Sequence, residues 1–162
     1  MRSFYRRNLP HIETYPATYF VTFSTKGDLF LPYRARTIAL RHCLFETTKR
    51  IELYAAVIMP THVHLLFTPS EDDEGEPFSL AEIMKGIKGS SAYNINKLLN
   101  RKGTLWLPES FDRIMRRGDF EHKLNYIRAN PVDAGLCKRP EEYRWLWLES
   151  PQPRAAALQK CE

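Results

Sequence analysis

Alternating hydrophobic and polar positions predict strands in four parts of the chain. Aromatic and β-branched residues alternate along 15–25 (YPATYFVTFST). The runs 51–59 (IELYAAVIM) and 61–68 (THVHLLFT) meet at Pro60. Because proline cannot donate a ladder hydrogen bond, Pro60 marks the turn of a hairpin. A shorter alternation over 111–116 (FDRIMR) predicts the fourth strand.

Hydrophobic positions recur at helical spacing between and after these strands. This periodicity predicts helices over 34–50, 79–99 and 119–129. The second helix opens on Ser79 with Glu82 three residues later, which is a capping-box pattern. A kink is expected at 89–91 (GSS), and the third helix is expected to end at Asn130-Pro131.

The order of elements predicts an α+β fold. Strand, helix, strand, strand, helix and strand form the βαββαβ pattern of a ferredoxin-like antiparallel sheet with helices packed on it. The third helix is then an addition at the C-terminal end. A chain of 162 residues suits one domain. We assign it to 1–150 and expect 151–162 to be a flexible tail.

Charge divides the chain into unlike segments. The net charge of +5 favours a polyanionic partner. The positive charge lies in 1–50 and 85–128, whereas 51–84 contains no Lys or Arg. Most of the acidic residues of that middle segment lie in 71–76 (EDDEGE), which is expected to be a solvated loop.

Hydropathy and cysteine spacing indicate the cellular compartment in which the protein is expected. No apolar run approaches the length of a membrane span, and the first residues lack the apolar segment of a signal peptide. We therefore expect a cytoplasmic protein with no membrane partner. The cysteines lack CxxC spacing and are expected to be reduced thiols: Cys43, Cys137 and Cys161.

Two histidines lie on one face of the third predicted strand. Side chains alternate along a strand, so His62 and His64 point the same way. Two neighbouring imidazoles are suitable ligands for a divalent cation. The alternative is a pair of polar residues on a half-exposed face, and the spacing alone leaves both open.

Tyr126 lies off the apolar stripe of the third helix. Phe120, Leu124 and Ile127 form that stripe, and Asn130 follows Tyr126 by one turn. A phenol and an amide carbonyl are thus brought to one side of the helix. The alternatives are a surface aromatic at Tyr126 and a helix C-cap at Asn130. Tyr93 in SSAYNINK is a competing candidate. Composition does not decide between Tyr93 and Tyr126.

These segments resemble a known family. The run 59–69 (MPTHVHLLFTP) resembles the histidine–hydrophobic–histidine motif of the HUH single-tyrosine transposases. The run 126–136 (YIRANPVDAGL) is similar to the tyrosine helix of the REP-associated tyrosine transposases. YRRNLPH, ATYFVTF and LWLPESFDRIM also resemble that subgroup, so the likeness spans about 4–147. Thr61 stands where family members often have Asn, and the loop 71–76 is an elaboration.

The resemblance implies a ferredoxin-like endonuclease that cuts and rejoins single-stranded DNA near REP-type hairpins. It implies that Tyr126 is the nucleophile and forms a covalent 5′-phosphotyrosine. It also implies that His62, His64 and Asn130 bind a divalent metal ion, Mg²⁺ or Mn²⁺. The protein would then be a bacterial, cytoplasmic transposase that is associated with the nucleoid when bound to DNA.

Basic residues are candidates for contacts with DNA phosphates. They lie near the N-terminus, on the second helix and before the tyrosine helix: Arg6, Arg7, Lys85, Lys88, Arg113, Arg116 and Arg117. Each is equally consistent with a solvated surface residue. Trp106 and Tyr5 are candidates for stacking on bases or for packing in the core.

Two other functions remain open at this point. A catalytically inactive, domesticated DNA- or RNA-binding module would keep the fold and lose turnover. A metal-dependent hydrolase would use the histidines and water, but it gives Tyr126 no role. No sequence element predicts a protein partner, so a monomer is favoured over a homodimer.

Overall fold

Strands and helices follow one another in the order that the hydrophobic pattern predicts. The computed structural model describes residues 17–150. Its strands are β1 (Tyr19–Ser24), β2 (Ile51–Ile58), β3 (His62–Pro69), β4 (Phe111–Ile114) and β5 (Leu146–Leu148). Its helices are α1 (Tyr33–Glu46), α2 (Leu80–Leu98) and α3 (Asp119–Asp133). None of the helices in this part of the chain is long and apolar enough to cross a membrane.

The five described strands form one antiparallel sheet. Their order is β4-β1-β3-β2-β5, and every neighbouring pair runs antiparallel. The first six elements, β1 to β4 with α1 and α2, therefore have the βαββαβ ferredoxin-like arrangement. The predicted α+β fold class is confirmed.

The two faces of the sheet are covered by different helices. Val63, Leu65 and Phe67 of β3 are fully buried in the core on one face. That face carries α1 and α2, which pack against each other. His62 and His64 alternate with these residues and point to the opposite face, where α3 contacts β2 and β3.

The capping box of α2 is confirmed, but the expected kink is wrong. Ser79 Oγ accepts from the Glu82 backbone N–H, and the Glu82 carboxylate accepts from the Ser79 N–H. The helix then continues unbroken through 89–91. Ser91 is buried there, and its Oγ accepts a hydrogen bond from Trp106 Nε1 at 2.9 Å. A small side chain at this position is thus explained by packing.

The expected end of α3 at Asn130-Pro131 is also wrong. The helix continues through Pro131, which is buried, to Asp133. Gly135 follows with a φ of 73°, in the left-handed region that glycine adopts without steric cost. The backbone N–H of Gly135 bonds to the Val132 carbonyl at 2.9 Å. Glycine rather than proline therefore ends the helix.

Other boundaries differ by smaller amounts. α1 ends at Glu46, four residues before its expected end, and β4 ends at Ile114 rather than at residue 116. β5 was not predicted, because three residues are too few for a recognisable alternation. The loop 71–76 is exposed, as expected, and Asp72 Oδ1 accepts backbone hydrogen bonds from Glu74 and Glu76. The expected tail at 151–162 lies outside the described residues.

Candidate active site

The histidine pair lies on the face of the sheet that carries α3. The ring centroids of His62 and His64 are 4.9 Å apart, and the rings meet edge to face. His64 is 5% exposed and stacks on the buried ring of Phe20 in β1, with centroids 5.6 Å apart. The sheet therefore holds the inner imidazole rigidly, while His62 is only partly buried.

A threonine on the neighbouring strand orients His64. Thr22 of β1 pairs with His64 across the sheet, and its Oγ1 lies 2.7 Å from Nδ1 of the imidazole. The opposite ring atom, Nε2, is buried and has no hydrogen-bond partner among residues 17–150. When Nδ1–H donates to Thr22, Nε2 carries the free lone pair that a metal ion requires. Sequence reasoning missed Thr22, whose role depends on the strand register.

Both imidazoles are held in the neutral form. Burial lowers the pKa of His64 to about 3, with further contributions from His62 and from Lys123. Burial also lowers the pKa of His62. Neutral imidazoles have the lone pairs that bind divalent cations, so the site suits a metal ion better than an anion.

Helix α3 brings Tyr126 against the histidine pair. The Tyr126 ring lies 5.3 Å from the His64 ring and 5.9 Å from the Phe20 ring, between centroids. Ile127 anchors the helix because it is fully buried against the sheet. Tyr126 itself is 43% exposed, so one side of its ring remains open to solvent. Tyr93, the competing tyrosine, is on α2 and hence on the other face of the sheet.

A lysine one turn before Tyr126 was also missed by sequence reasoning. Lys123 Nζ lies 4.5 Å from the centroid of the Phe20 ring and 5.3 Å from that of Tyr126. The i, i+3 spacing from Tyr126 was a signal that could have identified it. Its ammonium places one positive charge beside the aromatic rings of the site.

Asn130 lies on the same helix as Tyr126. It lies one turn after Tyr126 within α3, is partly buried, and is not the C-cap, which is Ala134. In the described part of the chain no three His, Cys, Asp or Glu residues are close enough to hold a metal ion.

The comparisons with known proteins agree with this geometry. Residues 35–130, more than half of the chain, match the family model described as "Transposase IS200 like". The chain belongs to the IS200-like transposase family. The matched region includes His62, His64, Tyr126 and Asn130.

Individual relatives extend this assignment. A REP-associated tyrosine transposase of Escherichia coli (strain K12) is 25% identical over 107 residues, which are 64% of this chain and 59% of that protein. The chain thus matches less than two thirds of the length of this curated relative. The solved structure of a REP-associated tyrosine transposase bound to a REP hairpin has a TM-score of 0.64 and 22% identity. The aligned region covers 85% of this chain and 82% of the solved one. This likeness shows that the two have the same fold.

Three of the candidate DNA-binding arginines lie beside α3. Arg113 pairs with Phe20 across the β4–β1 ladder, so it points to the face of the histidines, and its Nη2 is 3.8 Å from Asp119 Oδ2. Arg116 and Arg117 are exposed in the turn before α3. Arg6 and Arg7, like Tyr5, lie outside the described residues.

The other basic candidates lie on the opposite face. Lys88 of α2 is partly buried and donates to the carbonyl oxygens of Leu107 and Pro108 at 2.6 and 3.3 Å. Burial lowers its pKa, and its ammonium holds this loop in place. Lys85 is exposed on the same helix. Trp106, a candidate for base stacking, is buried and meets Phe23 edge-on at 4.8 Å, so it belongs to the core.

Proposed function

We propose that this protein is a single-stranded DNA endonuclease and strand transferase that uses Tyr126 as its nucleophile beside REP-type hairpins. The observation that carries the proposal is the contact of the half-exposed Tyr126 ring with buried His64. A phenol that is partly open to solvent and adjoins a buried, neutral imidazole suits attack on a phosphodiester. Family membership supports the same reaction class.

The residues of the site fit a divalent metal ion. The buried Nε2 of His64 lacks a partner within the described part of the chain, which is costly unless a ligand occupies its lone pair. We infer that His62, His64 and Asn130 hold Mg²⁺ or Mn²⁺. When bound, the ion supplies Lewis-acid polarisation of the scissile phosphate.

Tyr126 forms and breaks the covalent bonds in the proposed reaction. Its phenol oxygen loses a proton and attacks phosphorus, a P–O(Tyr) bond forms, and the P–O3′ bond breaks. The products are a 5′-phosphotyrosine and a free 3′-hydroxyl. Attack by a second 3′-hydroxyl reverses these steps and joins two strands without nucleotide hydrolysis. The Lys123 ammonium, near the Tyr126 ring, offsets the negative charge that develops on the phenol.

The proposed substrate is hairpin DNA with flanking single strand. The solved relative is described as bound to a REP hairpin, and Arg113, Arg116 and Arg117 offer positive charge beside α3. His62, His64 and Tyr126 all come from one chain. We therefore propose a monomer, in which Tyr126 contacts His64 of the same chain.

Covalent trapping with labelled DNA tests this proposal. A hairpin oligonucleotide with flanking single strands is incubated with the protein and Mn²⁺ and then denatured. We expect the fragment 3′ of the cut to remain on the protein, and the released 5′ fragment to be extended by a DNA polymerase. Release of both fragments free of protein would instead indicate a hydrolase.

A histidine variant tests the metal site within the same assay. His64→Ala should abolish cleavage and the adduct while DNA binding is retained, because the metal ligand is lost. His122→Ala is the matched control, since His122 is exposed on α3. Unchanged cleavage in His64→Ala would remove the metal site from the mechanism.

A further inference from the structure

A second basic surface lies between α1 and α2, on the face of the sheet opposite Tyr126. It is a groove of about 480 Å³. The groove is lined by Ile38, Arg41, His42, Asn94, Lys97 and Leu98. The active-site residues lie under α3, so this groove is a separate site.

The charge of the groove is positive and uncompensated by its lining. Arg41 and Lys97 are exposed on opposite walls, and the lining contains no carboxylate. The nearby Glu46 is 4% exposed and pairs with Arg50 at 3.2 Å. The groove therefore presents two cationic side chains to solvent, which favours an anionic ligand.

A hydrogen bond joins the two walls of the groove. Asn94 Nδ2 lies 2.9 Å from His42 Nε2, and this bond joins α2 to α1. The amide donates, so the imidazole accepts at Nε2. This direct contact between the helices holds the two walls of the groove together.

An aromatic ring stands beside the groove. Tyr93 is 70% exposed and precedes Lys97 by one turn of α2, so the two side chains share a face of the helix. An exposed aromatic ring next to cationic side chains is the usual combination for single-stranded nucleic acid, in which bases stack and phosphates pair with the cations. A duplex keeps its bases stacked inside and would leave Tyr93 without a role.

From this placement we propose that the groove between α1 and α2 binds a segment of single-stranded DNA. Arg41 and Lys97 contact backbone phosphates, and Tyr93 stacks on a base. The identity of the polyanion as DNA rests on the proposed function. The proposed ligand is single-stranded because an unpaired strand can place its phosphates on the two cations and also stack a base on the Tyr93 ring.

Fluorescence anisotropy with a labelled 20-nucleotide oligo-dT tests the groove in metal-free buffer containing EDTA, where no cleavage takes place. Lys97→Glu should raise the Kd about tenfold at low salt and reduce the slope of log Kd against log salt by about 0.7. Lys138→Glu is the matched control, because Lys138 is exposed in the loop after α3 and undergoes the same change of charge.

Substitutions at Tyr93 separate stacking from charge. Tyr93→Ala should weaken oligo-dT binding about tenfold, whereas Tyr93→Phe keeps the ring and should bind as the wild type does. Circular dichroism confirms that each variant is folded. Crosslinking of an oligonucleotide containing 5-iodouracil should recover Tyr93 in the crosslinked peptide.

Three results would contradict the proposal that the groove binds single-stranded DNA. The first is wild-type affinity for oligo-dT in both Lys97→Glu and Tyr93→Ala. The second is an equal loss of affinity for a 20-base-pair duplex, which would indicate a stem-binding surface. The third is a sedimentation coefficient that changes in Lys97→Glu or Tyr93→Ala while the DNA affinity does not. That result would make the groove an interface between two copies of the chain. Because affinity is measured without cleavage, failure of the Tyr126 chemistry leaves this test intact.

Discussion

His64 combines three properties that rarely coincide in a structural histidine. It is buried, its Nδ1 contacts Thr22, and its Nε2 has no partner in the part of the chain that the structure describes. A buried polar atom without a hydrogen bond costs free energy of folding, typically about 1–3 kcal/mol. The proposed metal ion at Nε2 would recover that cost.

The Thr22 hydroxyl lies 2.7 Å from His64 Nδ1, and Thr22→Val tests whether this contact sets the orientation and tautomer of the imidazole. Valine has nearly the same shape but no acceptor, so Nδ1–H loses its partner. We expect Mn²⁺ affinity, measured by electron paramagnetic resonance, to fall about tenfold, as is usual for loss of such a supporting hydrogen bond. Thr22→Ser should restore it. Equal Mn²⁺ affinity in Thr22→Val and the wild type would show that the hydroxyl has no part in the site.

The sequence predicted the residues of the site better than their surroundings. The spacing of His62 and His64 and the position of Tyr126 off the apolar stripe are local features, which one strand or one helix determines. Thr22 is forty-two residues from His64 and reaches it only through the register of β1 with β3. That register depends on the whole sheet, so no local pattern indicated it.

At the scale of elements, α2 is defined by its first turn. Ser79 and Glu82 exchange hydrogen bonds between side chain and backbone. The Ser79 hydroxyl also donates to the Glu82 carboxylate, and this bond, together with that from the Ser79 N–H, lowers the pKa of the carboxyl. The first N–H groups of a helix have no intrahelical partners, so such a box fixes where the helix begins. The start of α2 in turn positions the walls of the groove.

Ser79→Ala should therefore destabilise the protein by about 1 kcal/mol, because it removes the acceptor of the capping box. Ser90→Ala is the matched control: Ser90 is exposed in the middle of the same helix, where alanine is the better helix former and should raise stability by about 0.5 kcal/mol. Urea unfolding followed by circular dichroism measures both. A stability of Ser79→Ala equal to that of the wild type would mean that the box contributes nothing in solution.

Patterns in the sequence located the long elements and missed those set by tertiary contacts. β5 pairs with β2, and residues just before β5 in the chain fasten it there. One of them is Tyr143, whose Oη donates to the Ile58 carbonyl at 2.7 Å. Trp145 is buried under the Arg36 guanidinium, 3.8 Å from the centroid of the ring. These partners are about a hundred residues away, so the local sequence could not show that a strand forms at Leu146–Leu148.

At the scale of the molecule, the sheet separates two basic surfaces. One lies beside α3, around Arg116 and Arg117, and the other is the groove between α1 and α2. The acidic residues 71–76 are confined to the exposed loop between β3 and α2. The net charge of +5 therefore understates the positive charge that DNA would meet on either face.

The core between the sheet and α1 can be probed through a thiol. Cys43 is fully buried, and burial raises its pKa to about 12, whereas Cys137 is partly exposed. In a Cys161→Ser background at pH 7.5, N-ethylmaleimide should modify Cys137 and leave Cys43 intact until guanidinium unfolds the chain. Mass spectrometry of tryptic peptides gives the extent at each site. Equal native labelling of the two would contradict the packing of α1 on the sheet.

The nucleophile is tested most directly by comparing Tyr126→Phe with Tyr93→Phe in the covalent trapping assay, with the modified peptide identified by mass spectrometry. Both substitutions keep the ring and remove only the hydroxyl. We predict that Tyr126→Phe forms no denaturation-resistant adduct, that Tyr93→Phe does, and that the phosphotyrosine maps to Tyr126. An adduct that persists in Tyr126→Phe and vanishes in Tyr93→Phe would contradict the account.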